Sequence, residues 1–219
     1  MKNNILTERQ AVLLKDIGAN QSIVNNFYLT GGTALAAFYL GHRWSEDLDF
    51  FSEQEVDVLV LDVFFKQIKE KYLLKKIDFQ QAFNRNLFFL HFSDEVLKTE
   101  FTFFPFPRIE KTDQIDNIQI DSLIDIATNK LFSIYQRTKA RDYIDLFCIC
   151  MEKDMPIANL IKNARIKFDT TIDLLQLGGK FIKASEVADY PRMIKEIEPV
   201  IWQNFFLDEA KKLKNQIIE

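Results

Sequence analysis

Gly31-Gly32-Thr33-Ala34-Leu35, followed by His42-Arg43-Trp44-Ser45-Glu46-Asp47-Leu48-Asp49-Phe50-Phe51, is the stretch that decides how this chain is read. It sets a small-residue turn ahead of two carboxylates separated by one apolar residue. Side chains on a strand alternate in direction, so Asp47 and Asp49 share one face while Leu48 points to the core. Two carboxylates side by side repel one another unless a cation sits between them. Hard divalent cations such as Mg²⁺ take oxygen ligands, commonly one or two carboxylates together with substrate phosphates. The glycines allow close backbone approach to a phosphate, and exposed N–H groups at a helix start suit an anion. Together these residues read as a metal–nucleotide site. The plainer alternatives are a turn that needs glycine for its backbone angles and a pair of surface carboxylates at a strand edge.

The chain has 219 residues, enough for one domain or two small ones with a sizeable core. Its 47% apolar and 27% charged residues are those of an ordinary globular protein. The net charge of −4 argues against a general nucleic-acid coat, though not against a local basic groove. Phenylalanine is abundant, with 21 residues falling largely in strand-like runs, where core packing is its expected use. Cys148 and Cys150, at i, i+2 in an apolar helical stretch, suit neither a disulfide nor a shared metal, and are expected as core residues in a reducing compartment. No segment reaches membrane-spanning length, so no membrane partner and a cytoplasmic location are expected.

Helical spacing covers residues 5–18, and a short strand at 27–29 runs into the glycines. Ala34 to Leu40 reads as a helix closed by Gly41, and Asp47 to Phe51 as the second strand. Ser52 is expected to cap a helix through about Tyr72. Strands are expected at 73–79, 87–92 and 96–104, the last two joined by Ser93-Asp94-Glu95. Pro105 and Pro107 stop this pattern, and helices are expected at 121–136, 140–153, 157–168, 172–181 and 196–217. The expected class is α+β, with a mixed α/β part over 1–110 and an all-α part over 111–219.

Three blocks stand in order along this frame: Gly-Gly-Thr-Ala-Leu at 31–35, Arg43-x-Ser45-x-Asp47-Leu48-Asp49-Phe50, and Lys130 followed by Arg141-Asp142-x-x-Asp145-Leu146. In this the chain resembles the AbiEii/AbiGii-type nucleotidyltransferase toxins, within the DNA polymerase β-like nucleotidyltransferase superfamily. The resemblance implies that Asp47, Asp49 and a third carboxylate hold Mg²⁺ (or Mn²⁺) carrying a nucleoside triphosphate. Glu100, in the alternating run Leu97 to Phe103, is the candidate for the third; its other reading is a solvated edge-strand residue. Gly31, Gly32 and Thr33 would cradle the triphosphate, with Thr33 or Ser45 supplying a hydroxyl. Lys130 would contact phosphate, and Asp142 would orient it or assist the attacking group. Arg141 stands where lysine is usual, keeping the charge but not the geometry.

Other residues keep two readings. Arg43 would bind a phosphate bidentately, pair with Asp47 or Asp49, or lie exposed in a loop. Ser45 would reach a phosphate, be modified itself, or make a local turn. His42 is expected at the surface. Asp142 and Asp145, at i, i+3, share a helix face. Lys153, Lys162, Arg165, Lys167, Lys180 and Lys183 would line an RNA groove or merely solvate helices. The resemblance implies nucleotidyl transfer from an NTP to an acceptor, a tRNA or other RNA, by the toxin of a toxin–antitoxin or phage-defence system restrained by a cognate antitoxin. The competing readings are a small-molecule (aminoglycoside-like) nucleotidyltransferase and a nonenzymatic scaffold of the same fold.

Overall fold

The alternating segment after Asp47 forms a strand in the computed structural model, which describes residues 5–218. This strand, β2 (Leu48–Ser52), is central in a mixed seven-stranded sheet. Beside it run β1 (Tyr28–Thr30), antiparallel, and β5 (Val96–Phe103), parallel. β4 (Arg85–His91) and β3 (Lys76–Ala82) extend the sheet beyond β5 in antiparallel steps. On the other side β7 (Ile118–Ile120) lies parallel to β1, and β6 (Asp113–Ile115) closes that edge. The class is α+β, as expected.

Alternation gives the sheet two unlike faces. Leu48, Phe50, Thr99 and Phe101 are fully buried on one of them. Phe50 stacks on Phe101 with ring centroids 5.0 Å apart, and Phe65 of α4 (Val58–Lys71) stacks on Phe88 at 4.2 Å. These phenylalanines serve the core as expected, while Phe79 and Phe83 on the β3–β4 hairpin are exposed. Two more helices flank the sheet, α1 (Glu8–Gly18) and the short α2 (Gln21–Val24), the first closed by a Thr7–Gln10 capping box.

The chain divides into two compact units. The sheet unit takes the described chain up to Tyr39, Ser45–Pro107 and Lys111–Ser122. The helical unit takes Leu40–Trp44, Arg108–Glu110 and the chain from Leu123 onward. The expected break near residue 110 therefore falls after Ser122, because the β6–β7 hairpin returns the chain to the sheet. Its turn, Asp116-Asn117, has both residues at positive φ, a geometry that Asp and Asn tolerate and that suits a two-residue hairpin. Ser52 does not cap a helix; it bonds Gln54, and Asp57 caps α4 instead. Leu40–Trp44 joins the helical unit through main-chain bonds: Trp44 N–H donates to Arg192, and His42 C=O accepts from Ile194 and Lys195.

In the helical unit α5 (Leu123–Gln136), α6 (Ala140–Lys153), α7 (Ile157–Lys167), α8 (Leu174–Ile182) and α9 (Pro199–Ile218) follow the expected order. α6 is buried without interruption from Asp142 to Cys150, which makes it the central helix. Tyr143 meets Phe206 edge-on at 5.0 Å, and Phe181 approaches Phe206 at 5.2 Å. Burial, with the neighbouring carboxylates adding to it, pushes the thiols of Cys148 and Cys150 up to about 12. No helix among the described residues is long and apolar enough to cross a membrane.

Lys167 corrects an expectation. It does not line a surface groove: its ammonium is buried 2.5 Å from Asp125, whose carboxylate also accepts the N–H groups of Ile109 and Glu110. Removing one member of a buried pair leaves the other charge uncompensated, at about 3–5 kcal/mol. Lys167→Met is expected to destabilise the protein by that amount in urea unfolding, whereas Lys162→Met, at an exposed site of the same helix, is expected to change it by about 0.5 kcal/mol or less.

Candidate active site

Two clusters hold the expected site residues, one in each unit. In the sheet unit the parallel register of β2 and β5 sets Asp49 opposite Glu100, and the antiparallel register of β1 and β2 sets it opposite Thr30. Asp47, Asp49, Lys98, Glu100 and Thr102 occupy alternate positions on the face opposite the Leu48–Phe101 core. Glu100 is therefore an inner-strand residue and buried, which excludes its reading as a solvated edge residue.

Gly31 is the first residue of α3 (Gly31–Ala34), a short helix that widens into a π-helical turn over Leu35–Leu40. Its φ is +72°, and a Cβ added there would lie 2.7 Å from Asp49 Oδ2. Only glycine permits this approach of main chain to carboxylate. Gly32 is buried directly after it. The Thr33 hydroxyl, expected on phosphate, is buried and donates to the main-chain carbonyl of Asp47. Gln10 Nε2 donates to the carbonyls of Ser45 and Glu46, and Thr99 Oγ1 to that of Leu48. Three side chains thus fix the backbone that presents the aspartates.

The acidic row is held by two cations that sequence reasoning did not single out. Lys98 Nζ lies 2.8 Å from Asp47 Oδ2. Arg85, near the end of the β3–β4 hairpin, pairs in fork fashion with Glu100, each bond 2.6 Å long. Burial raises the Glu100 carboxyl, but Arg85, Thr102 and Lys98 outweigh it and hold it below its ordinary value. Oxygen donors on one strand face suit a hard divalent cation. Among the described residues, however, no three His, Cys, Asp or Glu side chains are gathered closely enough to hold one. Lys98 and Arg85 take the positions of counter-charge instead.

In the helical unit the expected approach of Lys130 to Asp142 is observed, at 2.8 Å, and Lys130 also reaches Asp145 at 2.7 Å. Arg43 is neither an exposed loop residue nor a partner of Asp47 or Asp49. It is buried and forks onto Asp145, Nε at 2.6 Å and one terminal nitrogen at 2.8 Å. His42, expected at the surface, is fully buried with Nε2 2.7 Å from the same carboxylate. Arg137 closes the group on Asp142 at 3.0 Å. Burial alone would raise both carboxyls. Lys130 with Arg137 holds Asp142 below its ordinary value, and Lys130 with Arg43 and His42 holds Asp145 well below.

Known proteins agree with this architecture. Residues 13–210 match the family described as nucleotidyl transferase AbiEii toxin, type IV toxin–antitoxin system. An uncharacterized protein of Aquifex aeolicus is 31% identical over 150 residues, 67% of this chain and 68% of that protein. Among solved structures, a Helicobacter pylori protein assigned as a nucleotidyltransferase superposes with a TM-score of 0.62 at 19% identity, covering 98% of this chain and 99% of that one. MenT4, a nucleotidyltransferase toxin of Mycobacterium tuberculosis, superposes with a TM-score of 0.58 at 14% identity, covering 93% and 82%. At these identities the two structures speak for the fold alone.

Gly31→Ala is expected to lower nucleotidyl transfer by about 100-fold, because the methyl group displaces Asp49, while the thermal unfolding midpoint moves only a few degrees. For Asp142 and Asp145, carboxyls held below their ordinary value stabilise the fold above about pH 4 and cease to do so as pH falls through their folded values. Asp145→Asn is expected to cost about 3–5 kcal/mol near neutral pH and to flatten the acid limb of stability, both read from urea unfolding at a series of pH values.

Proposed function

This chain belongs to the family of AbiEii nucleotidyltransferase toxins of type IV toxin–antitoxin systems, and we propose that it transfers a nucleotidyl group from a nucleoside triphosphate to the 3′ end of an RNA, with tRNA the first candidate. The observation that carries this reading is the approach of Gly31 to Asp49, itself aligned with Glu100. A bend that brings main-chain N–H groups beside a row of carboxylates joins the two things a metal–triphosphate needs.

Asp47 and Asp49 would hold Mg²⁺ or Mn²⁺ together with oxygens of the triphosphate itself, while Glu100 stays forked onto Arg85. Bound there, the ion neutralises charge on the phosphates as pyrophosphate departs. Gly31 and Gly32 orient the triphosphate through their N–H groups. With the Thr33 hydroxyl committed to Asp47, the hydroxyl contact to phosphate falls to Ser45. In the transfer, the acceptor oxygen bonds to the α-phosphorus, the bond from that phosphorus to its bridging oxygen breaks, and the hydroxyl proton passes to a carboxylate of the acidic row. Within the helical unit, Lys130, oriented by Asp142 and Asp145, is a fixed positive charge suited to an anionic group of a substrate. Arg43 braces Asp145 from its other side rather than touching nucleotide. Exposed Lys153, Lys162, Arg165 and Lys183 supply contacts to the RNA backbone. A cognate antitoxin restrains the activity, which takes place in the cytoplasm.

Purified protein incubated with each labelled NTP, Mg²⁺ and total RNA is expected to label an RNA band in the tRNA size range. Asp49→Asn is expected to reduce that labelling by about 100-fold or more. Label appearing only in a small molecule, or labelling that survives Asp49→Asn, would refute the reading.

A further inference from the structure

The tip of the β3–β4 hairpin carries an aromatic residue that the fold itself does not use. Phe83 is fully exposed and stands in the left-handed region, at φ +52°. That conformation is unfavourable for a bulky side chain, and a two-residue turn with only its first residue left-handed ordinarily places glycine there. Leu73, the other large apolar residue of the sheet unit at positive φ, directly follows the C-cap of α4, where a left-handed residue commonly closes a helix. Phe83 closes no helix. The Phe79 ring of the same hairpin lies 4.9 Å from Phe88, whereas Phe83 has no such partner among the described residues. Nor is the tip loose: the Asn84 carbonyl accepts the Phe103 N–H at 2.9 Å, and the Asn84 amide donates back to the Phe103 carbonyl. A strained main chain on a firm base thus holds a ring out to solvent.

The surroundings select the occupant. Phe79 to Arg85 are exposed without interruption, and between Asp78 and Arg85 the chain carries no carboxylate, only Gln80, Gln81 and Asn84 as neutral donors and acceptors. The first charge past the turn is the Arg85 guanidinium, whose Nε and Nη2 hold Glu100 while Nη1 has no partner among the described residues. A free ring, exposed amides and one spare cationic N–H, on a segment without acid, suit a nucleobase and its phosphate. Strand spacing and rise set the Phe83 main chain about 15 Å from Asp49, with β5 between them. Resting on the RNA-directed function proposed above, we propose that Phe83 is a stacking platform for a single-stranded nucleotide near the 3′ end of the RNA acceptor, with Arg85 Nη1 on the adjoining phosphate. Arg85 stays on Glu100 throughout, so the contact forms without any metal ion.

The test uses the full chain in EDTA with short unstructured oligoribonucleotides, each carrying 2-aminopurine at one of its last positions. Affinity is read from anisotropy and stacking from quenching of the 2-aminopurine emission. Phe83→Gly removes the ring and relieves the turn, so it is expected to keep or raise the thermal unfolding midpoint. The same variant is expected to bind RNA about 10-fold more weakly and to lose the quenching. Phe83→Trp is expected to retain both. Unchanged affinity or quenching in Phe83→Gly would overturn the proposal, as would Phe83→Trp binding as weakly as Phe83→Gly. A lowered midpoint in Phe83→Gly would trace the ring to folding, and a changed mass by light scattering with RNA affinity spared would trace it to self-association; either result counts against the proposal. If the unmodified protein binds none of the oligoribonucleotides, the RNA-directed reading fails and the proposal with it. If it binds them and Phe83→Gly binds them equally well, only the assignment of Phe83 fails.

Discussion

The parallel pairing of β2 with β5 concentrates negative charge on one face of the sheet, and the rest of that unit is organised around holding it there. A one-residue slip of β2 would turn Asp47 and Asp49 into the phenylalanine core and Leu48 and Phe50 outward, so the register is fixed from both sides. Stacked rings hold it from behind. Gln10, Thr33 and Thr99 clamp the carbonyls of residues 45–48, and on the acidic face Lys98 and Arg85 reduce the repulsion. Charge that would open a less constrained sheet is thereby kept available for chemistry.

The helical unit meets the same problem with fewer exits to solvent. Asp145 is fully buried and gains back the cost of leaving water through Arg43, His42 and Lys130. The arrangement serves two ends at once. It immobilises the Lys130 ammonium between two carboxylates, and it anchors Leu40–Trp44, the segment immediately ahead of the aspartate strand in sequence. A residue chosen for electrostatics is thus also a tether for the chain.

Sequence alone made the strand alternation at 47–51, the Glu100 phase and the nearness of Lys130 to Asp142 legible, because each rests on local periodicity or on adjacent helices. Where contacts join distant positions, local pattern was silent. Nothing around His42 or Arg43 points to Asp145, so their burial was unreadable, and Lys167 looked like any surface lysine because Asp125 lies on another helix. Arg85 required the hairpin register. The β6–β7 hairpin was a different kind of omission: Asp116-Asn117 between Ile115 and Ile118 is a usable turn signal, overshadowed by Pro105 and Pro107. Ser52 failed as a cap because Asp57, five residues on, offered a carboxylate at the true helix start.

The two cysteines of α6 have a practical consequence. Buried in the helical unit, with burial pushing their thiols up to about 12, they offer little thiolate to maleimides or other soft electrophiles near neutral pH. A fluorophore or spin label can therefore be directed to any newly installed surface sulfhydryl with the native pair left in place, and signal from the native pair would itself report that the helical unit had opened.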